Sequence, residues 1–374
     1  MKILIAPDKF KGSLSAREVA DNIALGLRSV LRDAEIAFAP MADGGEGTAE
    51  VICNALSGSW VKCKAHDPLG REIDARYAWI ANRNLAVMEM SEVAGMRRLS
   101  ESERDPLLAN TFGVGEMILD AARHRTREII IGLGGSATND GGFGMARAIG
   151  FRFFSEGEQD EEKKRELTGA VGELQKLERI ERPKTSSLPK IVAAVDVQNP
   201  LLGENGATRV FGPQKGASDD MIDILERALA KLADVVSIEF GVDYRDEPGA
   251  GAAGGLGFGL MSFCGAKIRP GFEVVAEATD LESNMENFDL VITGEGSLDR
   301  QTLEGKTPAG IARLARKLGK PVFAVAGCTD GDRQVRELFD GVYVLGQAGM
   351  SENEKMKRSE ELLREKAQEL AKNL

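Results

Sequence analysis

The stretch KILIAPDKFKGSLSAREVADNIALGLRSVLRDAEIAFAP, residues 2–40, sets the fold class. KILIAP (2–7) is an apolar run closed by Pro7 and Asp8, the pattern of a strand buried on both faces. Ser15 and Glu18 have the spacing of a capping box and open a helix whose apolar stripe is Val19, Ile23, Leu27 and Val30. EIAFAP (35–40) reads as a second buried strand and AEVICNAL (49–56) as a short helix behind it. Such a β-α-β-α opening calls for a parallel sheet with helices packed on its faces.

Beyond Gly58 the pattern changes. WVKCK (60–64), IDARYAWI (73–80) and LAVMEMS (85–91) alternate around DPLG and ANRN turns, which predicts an antiparallel meander. TFGVGEMILDAARH (111–124) predicts a helix, REIIIG (127–132) a strand, MARAIG (145–150) a helix and KIVAAV (190–195) another buried strand. Residues 155–187, rich in Glu, Lys and Arg with a helical stripe at Leu167, Val171 and Leu174, read as a solvated excursion without chemistry. GAGAAGGLGFGLMSF (249–263) permits close backbone approach and reads as a tightly packed helix.

From Asp289 the α/β rhythm resumes, with strands DLVITG, PVFAVAG and GVYVLG separated by the helices PAGIARLARKLG and DRQVRELF and followed by a C-terminal helix. Two N-terminal and three C-terminal strands make a five-stranded, flavodoxin-like parallel sheet from residues 1–60 and 285–374. Residues 61–284 then form an inserted second α/β domain of mixed sheet, although REIIIG and KIVAAV are apolar enough to join the first sheet.

Length and composition agree with two domains: 374 residues, 43% hydrophobic, are more than one typical domain holds. A net charge of -11 argues against nucleic-acid or anionic-membrane partners, so an anionic substrate needs local lysines. No signal-peptide pattern or membrane-length apolar run is found, which predicts a cytoplasmic protein; a homodimer is left open. Cys53, Cys63, Cys264 and Cys328 lack metal or redox spacing and read as reduced thiols. With two histidines, His66 as a turn residue or substrate contact and His124 as solvated helix surface, acid and base work falls to Asp, Glu or Lys.

Five polar segments follow strands: APDKFKG, ADGGEGT, GLGGSATNDGG, AVDVQNP and TGEGSLDRQTLEGKT. In a doubly wound sheet that is the ligand-binding end, and the recurrence of Gly, Asp and Lys predicts convergence on one cleft. Gly134, Gly135, Ser136 and Thr138 offer amides and hydroxyls for a phosphate, with a helix expected near Gly142; a tight strand-to-helix turn is the alternative. Gly305-Lys306-Thr307 ends like a Walker A motif, but Arg300 stands where that motif needs glycine. Thr307 is expected to cap a helix beginning at Pro308, setting Lys306 at a positive helix end. Asp8, Lys9 and Lys11 form a charged loop after the first strand, either a site or an exposed turn. Asp43 and Glu46, like Asp196 and Asn199, supply hard oxygens for Mg²⁺; Asp43 as a helix cap and Asn199 as a turn residue are the alternatives. Glu295, Asp299 and Arg300 are either site or solvated loop.

These segments together resemble the type 1 glycerate kinase family of bacteria, whose members carry APDKFKGS, ADGGEGT, GGSATNDGG, DVxNPL and TGEGxxDxQTxxGK in this order; all five are present here. The resemblance implies a two-domain fold and ATP-dependent phosphorylation of D-glycerate with Mg²⁺, at the 2-hydroxyl in bacterial members. On that reading Lys9, Lys11 and Lys306 neutralise phosphate or the glycerate carboxylate, Gly134, Gly135, Ser136 and Thr138 hold phosphates, and Asp43 with Glu46 carries Mg²⁺. Asp196 is the base, a role that Asp8 or Asp299 can exchange with it; Asn199, Glu295, Asp299 and Arg300 contact substrate. GLGGSAT is also similar to the glycine-serine loop of the homoserine and galactokinase group, which has no counterpart of the other four motifs. A kinase of another small hydroxy acid and a sugar-acid-binding regulator are the other readings; an appended helix-turn-helix would favour the regulator, and none is seen.

Overall fold

A computed structural model of the chain describes residues 1–155, 165–184, 187–304, 306–346 and 349–374. It divides into two compact units: Met1–Asp43 and Glu50–Ala55 with Pro270–Leu374, and Gly44–Ala49 with Leu56–Arg269.

The first unit holds a five-stranded sheet whose order is Glu35–Phe38, Lys2–Ile5, Leu290–Leu298, Val322–Thr329, Gly341–Val344, with every neighbour parallel. Numbered along the chain this is the order 2-1-3-4-5, the flavodoxin-like arrangement, and its switch point lies between the strands Lys2–Ile5 and Leu290–Leu298. Ile3, Ile5 and Ile292 are fully buried there, as two-sided burial requires. The helix Ala16–Arg28 starts at the expected capping box: the Glu18 amide donates to the Ser15 hydroxyl at 3.3 Å and the Ser15 amide to the Glu18 carboxylate at 2.8 Å.

Two expectations for this unit change. Val19, Ile23 and Leu27 are buried, but Val30 lies beyond the helix end and is exposed. Glu35–Phe38 is an edge strand, so its apolar residues are half-buried. The helix Ser359–Asn373 packs on Ala16–Arg28 through Leu362, Leu363, Ala367 and Leu370, at a place where Gly26 has no room for a side chain. A Cβ at Gly26 would lie 2.4 Å from the Arg364 carbonyl oxygen and 2.6 Å from the Ala367 Cβ.

The second unit holds a six-stranded mixed sheet in the order Lys267–Pro270, Lys190–Val195, Glu128–Gly132, Leu85–Glu89, Glu72–Ile80, Ser59–His66. The last three are the predicted meander, each antiparallel to its neighbour, and the strands of REIIIG and KIVAAV pair in parallel beside them instead of joining the first sheet. Residues 155–187 correct the sequence reading. Arg152–Ser155, Arg165–Glu166 and Leu177–Glu181 form a small antiparallel sheet, and Leu167, Val171 and Leu174 are buried in the core; residues 156–164, 185 and 186 of that stretch lie outside the described residues. The turn Val171–Lys176 packs against the helix Asp219–Phe240, which the motif reading passed over and which buries Leu225, Leu229, Leu232 and Val236. Among the described residues no helix is long and apolar enough to cross a membrane.

The Gly26 contact yields a test. Gly26→Ala gains helix propensity, yet its methyl meets a backbone carbonyl that cannot rotate away, so overpacking wins and unfolding is easier by about 1–3 kcal/mol. The urea midpoint measures it; an unchanged or higher midpoint contradicts the packing described.

Candidate active site

In the first unit the parallel pairing continues past the formal end of the first strand. The amides of Ala6 and Asp8 donate to the carbonyls of Ile292 and Gly294, each at 2.8 Å, which seats Asp8 at the carboxyl end of the strand on one side of the switch point. Asp8 is 3% exposed. The Thr307 hydroxyl donates to its Oδ2 at 2.7 Å and the Lys9 amide to its Oδ1 at 2.6 Å. Burial, and next the Asp43 charge, push the Asp8 carboxyl well above the ordinary range; Lys9 and the two hydrogen bonds oppose them. Thr307 therefore does not cap: the helix is Thr307–Lys317 with Lys306 in the cap position, because the hydroxyl is spent on Asp8. Gly305, the glycine before Lys306, lies outside the described residues.

Glu295, on the strand across the switch point, is pushed up to about 8 by burial first, then by Asp8, Asp43 and Asp299, against the pull of Lys306. The Lys306 Nζ is 3.7 Å from its Oε1, and Oε2 is buried without a hydrogen-bond partner among the described residues. Lys9 Nζ stands 4.0 Å from the Asp43 carboxylate. Asp43 is not a helix cap, since that helix begins at Thr48. The unit thus collects Asp8, Lys9, Asp43, Glu295, Lys306 and Thr307. Lys11 and Arg300 are exposed beside them, and Asp299 accepts from the Ser297 hydroxyl at 3.0 Å within its own turn.

In the second unit the glycine segments meet backbone to backbone. A Cβ at Gly132 would lie 2.4 Å from the Gly44 carbonyl oxygen, and one at Gly134 would lie 2.6 Å from the Gly45 Cα, so this crossing admits only glycine. Glu89, which the sequence reading did not single out, fixes the first of these loops by accepting from the Gly47 and Ala49 amides at 2.9 and 3.0 Å; a charged residue inside the apolar run LAVMEM was the available signal. The loop after Gly132 is held by the Met96 amide on the Gly135 carbonyl and the Ala137 amide on the Ala94 carbonyl, both at 2.9 Å. Gly134 and Gly135 remain accessible, whereas Ser136 and Thr138 are buried, the latter with a hydroxyl that has no partner among the described residues. The exposed Glu46 borders Gly135, its Oε1 being 3.3 Å from where a Cβ would sit.

The short helix expected near Gly142 is present as Phe143–Ala148, but its amino end is not open to a ligand anion. The Asp140 carboxylate accepts from the Gly142 and Gly144 amides at 3.1 and 3.0 Å and from the Thr111 amide and hydroxyl at 2.9 and 2.8 Å. Lys215, also unanticipated, is 2% exposed and donates to the Thr138 carbonyl at 2.7 Å. Burial pulls its pKa down to about 7, against the Asp140 charge. Asp196 is exposed one residue past its strand, and the Asn199 amide donates to the Asn205 carbonyl at 2.8 Å, which is a turn-forming bond. His66 ends a strand with its Nδ1 2.9 Å from the Glu116 carboxylate, and His124 is half-exposed at a helix end.

With these arrangements in place, comparison with known proteins decides the family. The model of the glycerate kinase family matches residues 3–374. The chain belongs to the glycerate kinase family. It is 41% identical over 374 residues to a glycerate kinase of Halalkalibacterium halodurans, covering 99% of this chain and 97% of the relative. It is 43% identical over 335 residues to the glycerate 2-kinase of Escherichia coli, covering 89% and 86%. A crystal structure of a protein provisionally assigned as glycerate kinase 2 from Salmonella typhimurium LT2 superposes with a TM-score of 0.85 at 39% identity, over 100% of this chain and 98% of that one. Membership of this family makes the protein a kinase and a transferase of glycerate metabolism.

Lys215 gives a pH test. Between its folded pKa of about 7 and its ordinary value of 10.5, the unfolded chain holds a proton that the folded chain does not, so stability rises with pH across that window. Lys215→Met lacks this contribution. The unfolding free energy of the wild type should gain on that of the variant as pH rises from about 7 to about 10, by at most about 1.4 kcal/mol per unit. Urea titrations at both ends measure it, and a constant difference contradicts the burial of the ammonium.

Proposed function

We propose that the protein transfers the γ-phosphoryl group of ATP to the 2-hydroxyl of D-glycerate, releasing ADP and 2-phosphoglycerate. Family membership supports the reaction class, and the naming of the Escherichia coli relative as a glycerate 2-kinase supports the position. The observation that carries the residue assignment is the Asp8 carboxyl, buried at the carboxyl end of a strand bordering the switch point and aligned by the Thr307 hydroxyl.

Phosphoryl transfer needs positioning, charge neutralisation and an acceptor for the hydroxyl proton. Among the three candidate bases Asp8 is favoured because its carboxyl is buried and held by that burial above the ordinary range, whereas Asp196 is exposed and Asp299 only half-buried. The glycerate hydroxyl oxygen forms the new bond to the γ-phosphorus, the bond from that phosphorus to the bridging oxygen of ADP breaks, and the hydroxyl proton passes to Asp8. Lys9 and Lys306 offset the negative charge of the transferring group and of the glycerate carboxylate, with Lys11 and Arg300 as exposed cations nearby. Glu295, protonated near neutrality, presents a donor to substrate oxygen, while Asn199 and Asp299 shape their turns. Gly134 and Gly135 offer amides to the donor phosphates, and Ser136 and Thr138 form the buried side of the same loop.

Among the described residues no three acidic, histidine or cysteine side chains are grouped to hold a metal ion by themselves, so a divalent cation would be held by one or two carboxylates together with the substrate phosphates. The charges of Asp8, Asp43 and Asp299 crowd Glu295 within the first unit, and a hard ion that shares ligands with phosphate would relieve that crowding. Asp43 and Glu46 would hold Mg²⁺, which when bound neutralises phosphate charge. Cytoplasmic residence, where ATP is held, accords with this reaction.

A coupled ADP-release assay with Mg-ATP tests the proposal. Turnover should depend on D-glycerate, stop when EDTA removes the metal and return with added Mg²⁺, with phosphorus NMR placing the phosphate on the second carbon. Turnover with a different hydroxy acid alone discards the substrate, and ligand binding without turnover discards the kinase reading.

A further inference from the structure

The loop Gly134–Asp140 has an accessible crown at Gly134 and Gly135 and a base, Thr138 to Asp140, that is completely buried. Three groups grip the base. The Asp140 carboxylate is taken by four donors, the Asn139 side-chain amide donates to the Thr208 hydroxyl at 2.9 Å, and the Lys215 ammonium donates to the Thr138 carbonyl. From another side Gly254 presses on the same peptide: a Cβ there would lie 2.0 Å from the Thr138 oxygen and 2.6 Å from the Asn139 Cα.

Lys215 is the costly member of this set. Its single hydrogen-bond partner among the described residues is a backbone carbonyl, and Asp140 faces it only through space. An apolar side chain of similar length fills the same volume without taking an ammonium out of water, so packing alone does not account for it. What the lysine adds is a directed N–H donor to the Thr138 carbonyl, available in either protonation state, in a low-dielectric interior beneath the accessible crown of the loop.

We propose that Lys215 is a positioning residue for the donor nucleotide: by anchoring the Thr138 carbonyl it fixes the base of the loop, so that the Gly134 and Gly135 amides are held in place for the phosphates. This rests on the assignment of that loop to ATP. It does not touch the reacting atoms, so its effect falls on nucleotide affinity.

Calorimetry with Mg-ADP decides it, with melting curves and glycerate kinetics on the same samples. Lys215→Met should melt at or above the wild-type temperature at neutral pH, bind Mg-ADP at least tenfold more weakly, and keep the KM for D-glycerate within about twofold. Lys215→Gln, which retains a donor for the carbonyl, should recover part of the affinity. Wild-type affinity in a folded Lys215→Met variant overturns the inference, and so does a weakening matched by lost stability and a parallel change in the glycerate KM. Should Lys215→Met not fold, Lys215→Gln is judged by the same criteria. A wild-type protein that does not bind Mg-ADP contradicts the donor-site assignment itself, which separates that failure from a failure of Lys215.

Discussion

A carboxyl group kept out of water at the carboxyl end of a parallel strand is the constraint around which the first unit's polar groups are arranged. Asp8 reaches that position because backbone pairing with the neighbouring strand extends to its amide, and it stays there because Thr307 and Lys9 satisfy its two oxygens. Everything charged nearby answers to it. Lys9 offsets the repulsion from Asp43, and Lys306 offsets part of the crowding at Glu295. Without substrate the cluster carries carboxyls displaced toward neutrality. That is a poor arrangement for stability and a suitable one for accepting a proton near working pH.

The second unit solves a different problem, the close approach of backbones. Gly44 and Gly45 cross Gly132 and Gly134 at separations that exclude a side chain, and Glu89 ties the first loop down through two amides. The conformation of the accessible crown at Gly134 and Gly135 is thereby set by packing beneath it. Asp140 shows the same division of labour, since its carboxylate occupies the helix end that a ligand anion would otherwise use.

Much of this was legible in the sequence. The strand KILIAP, the capping box at Ser15 and the three C-terminal strands gave the flavodoxin-like order, because two-sided burial and cap chemistry are local signals. The exposed Val30 and the edge position of Glu35–Phe38 were not legible, since neither follows from local pattern. The charged stretch 155–187 misled because apolar residues scattered through it, among them Leu167, Val171 and Leu174, are buried in the core, and its turn Val171–Lys176 packs against a helix far along the chain. Motif chemistry singled out Asp8, Lys9, Asp43, Glu295 and Lys306, which the first unit brings together. It missed Lys215, whose surroundings PQKG give no hint of burial, and it misassigned Thr307, whose hydroxyl had a local role available as a cap but bonds to a residue at the other end of the chain.

The proposed phosphoryl transfer depends on Asp8 as the acceptor of the hydroxyl proton. Its most direct test is the single-turnover rate of Asp8→Asn, an isosteric change that keeps the Thr307 contact possible and removes the base. A fall in the chemical step of at least about a hundredfold, with D-glycerate and Mg-ATP binding within a few-fold of wild type, is predicted. A variant whose chemical step stays within a few-fold of wild type would contradict the account and return the role to Asp196 or Asp299.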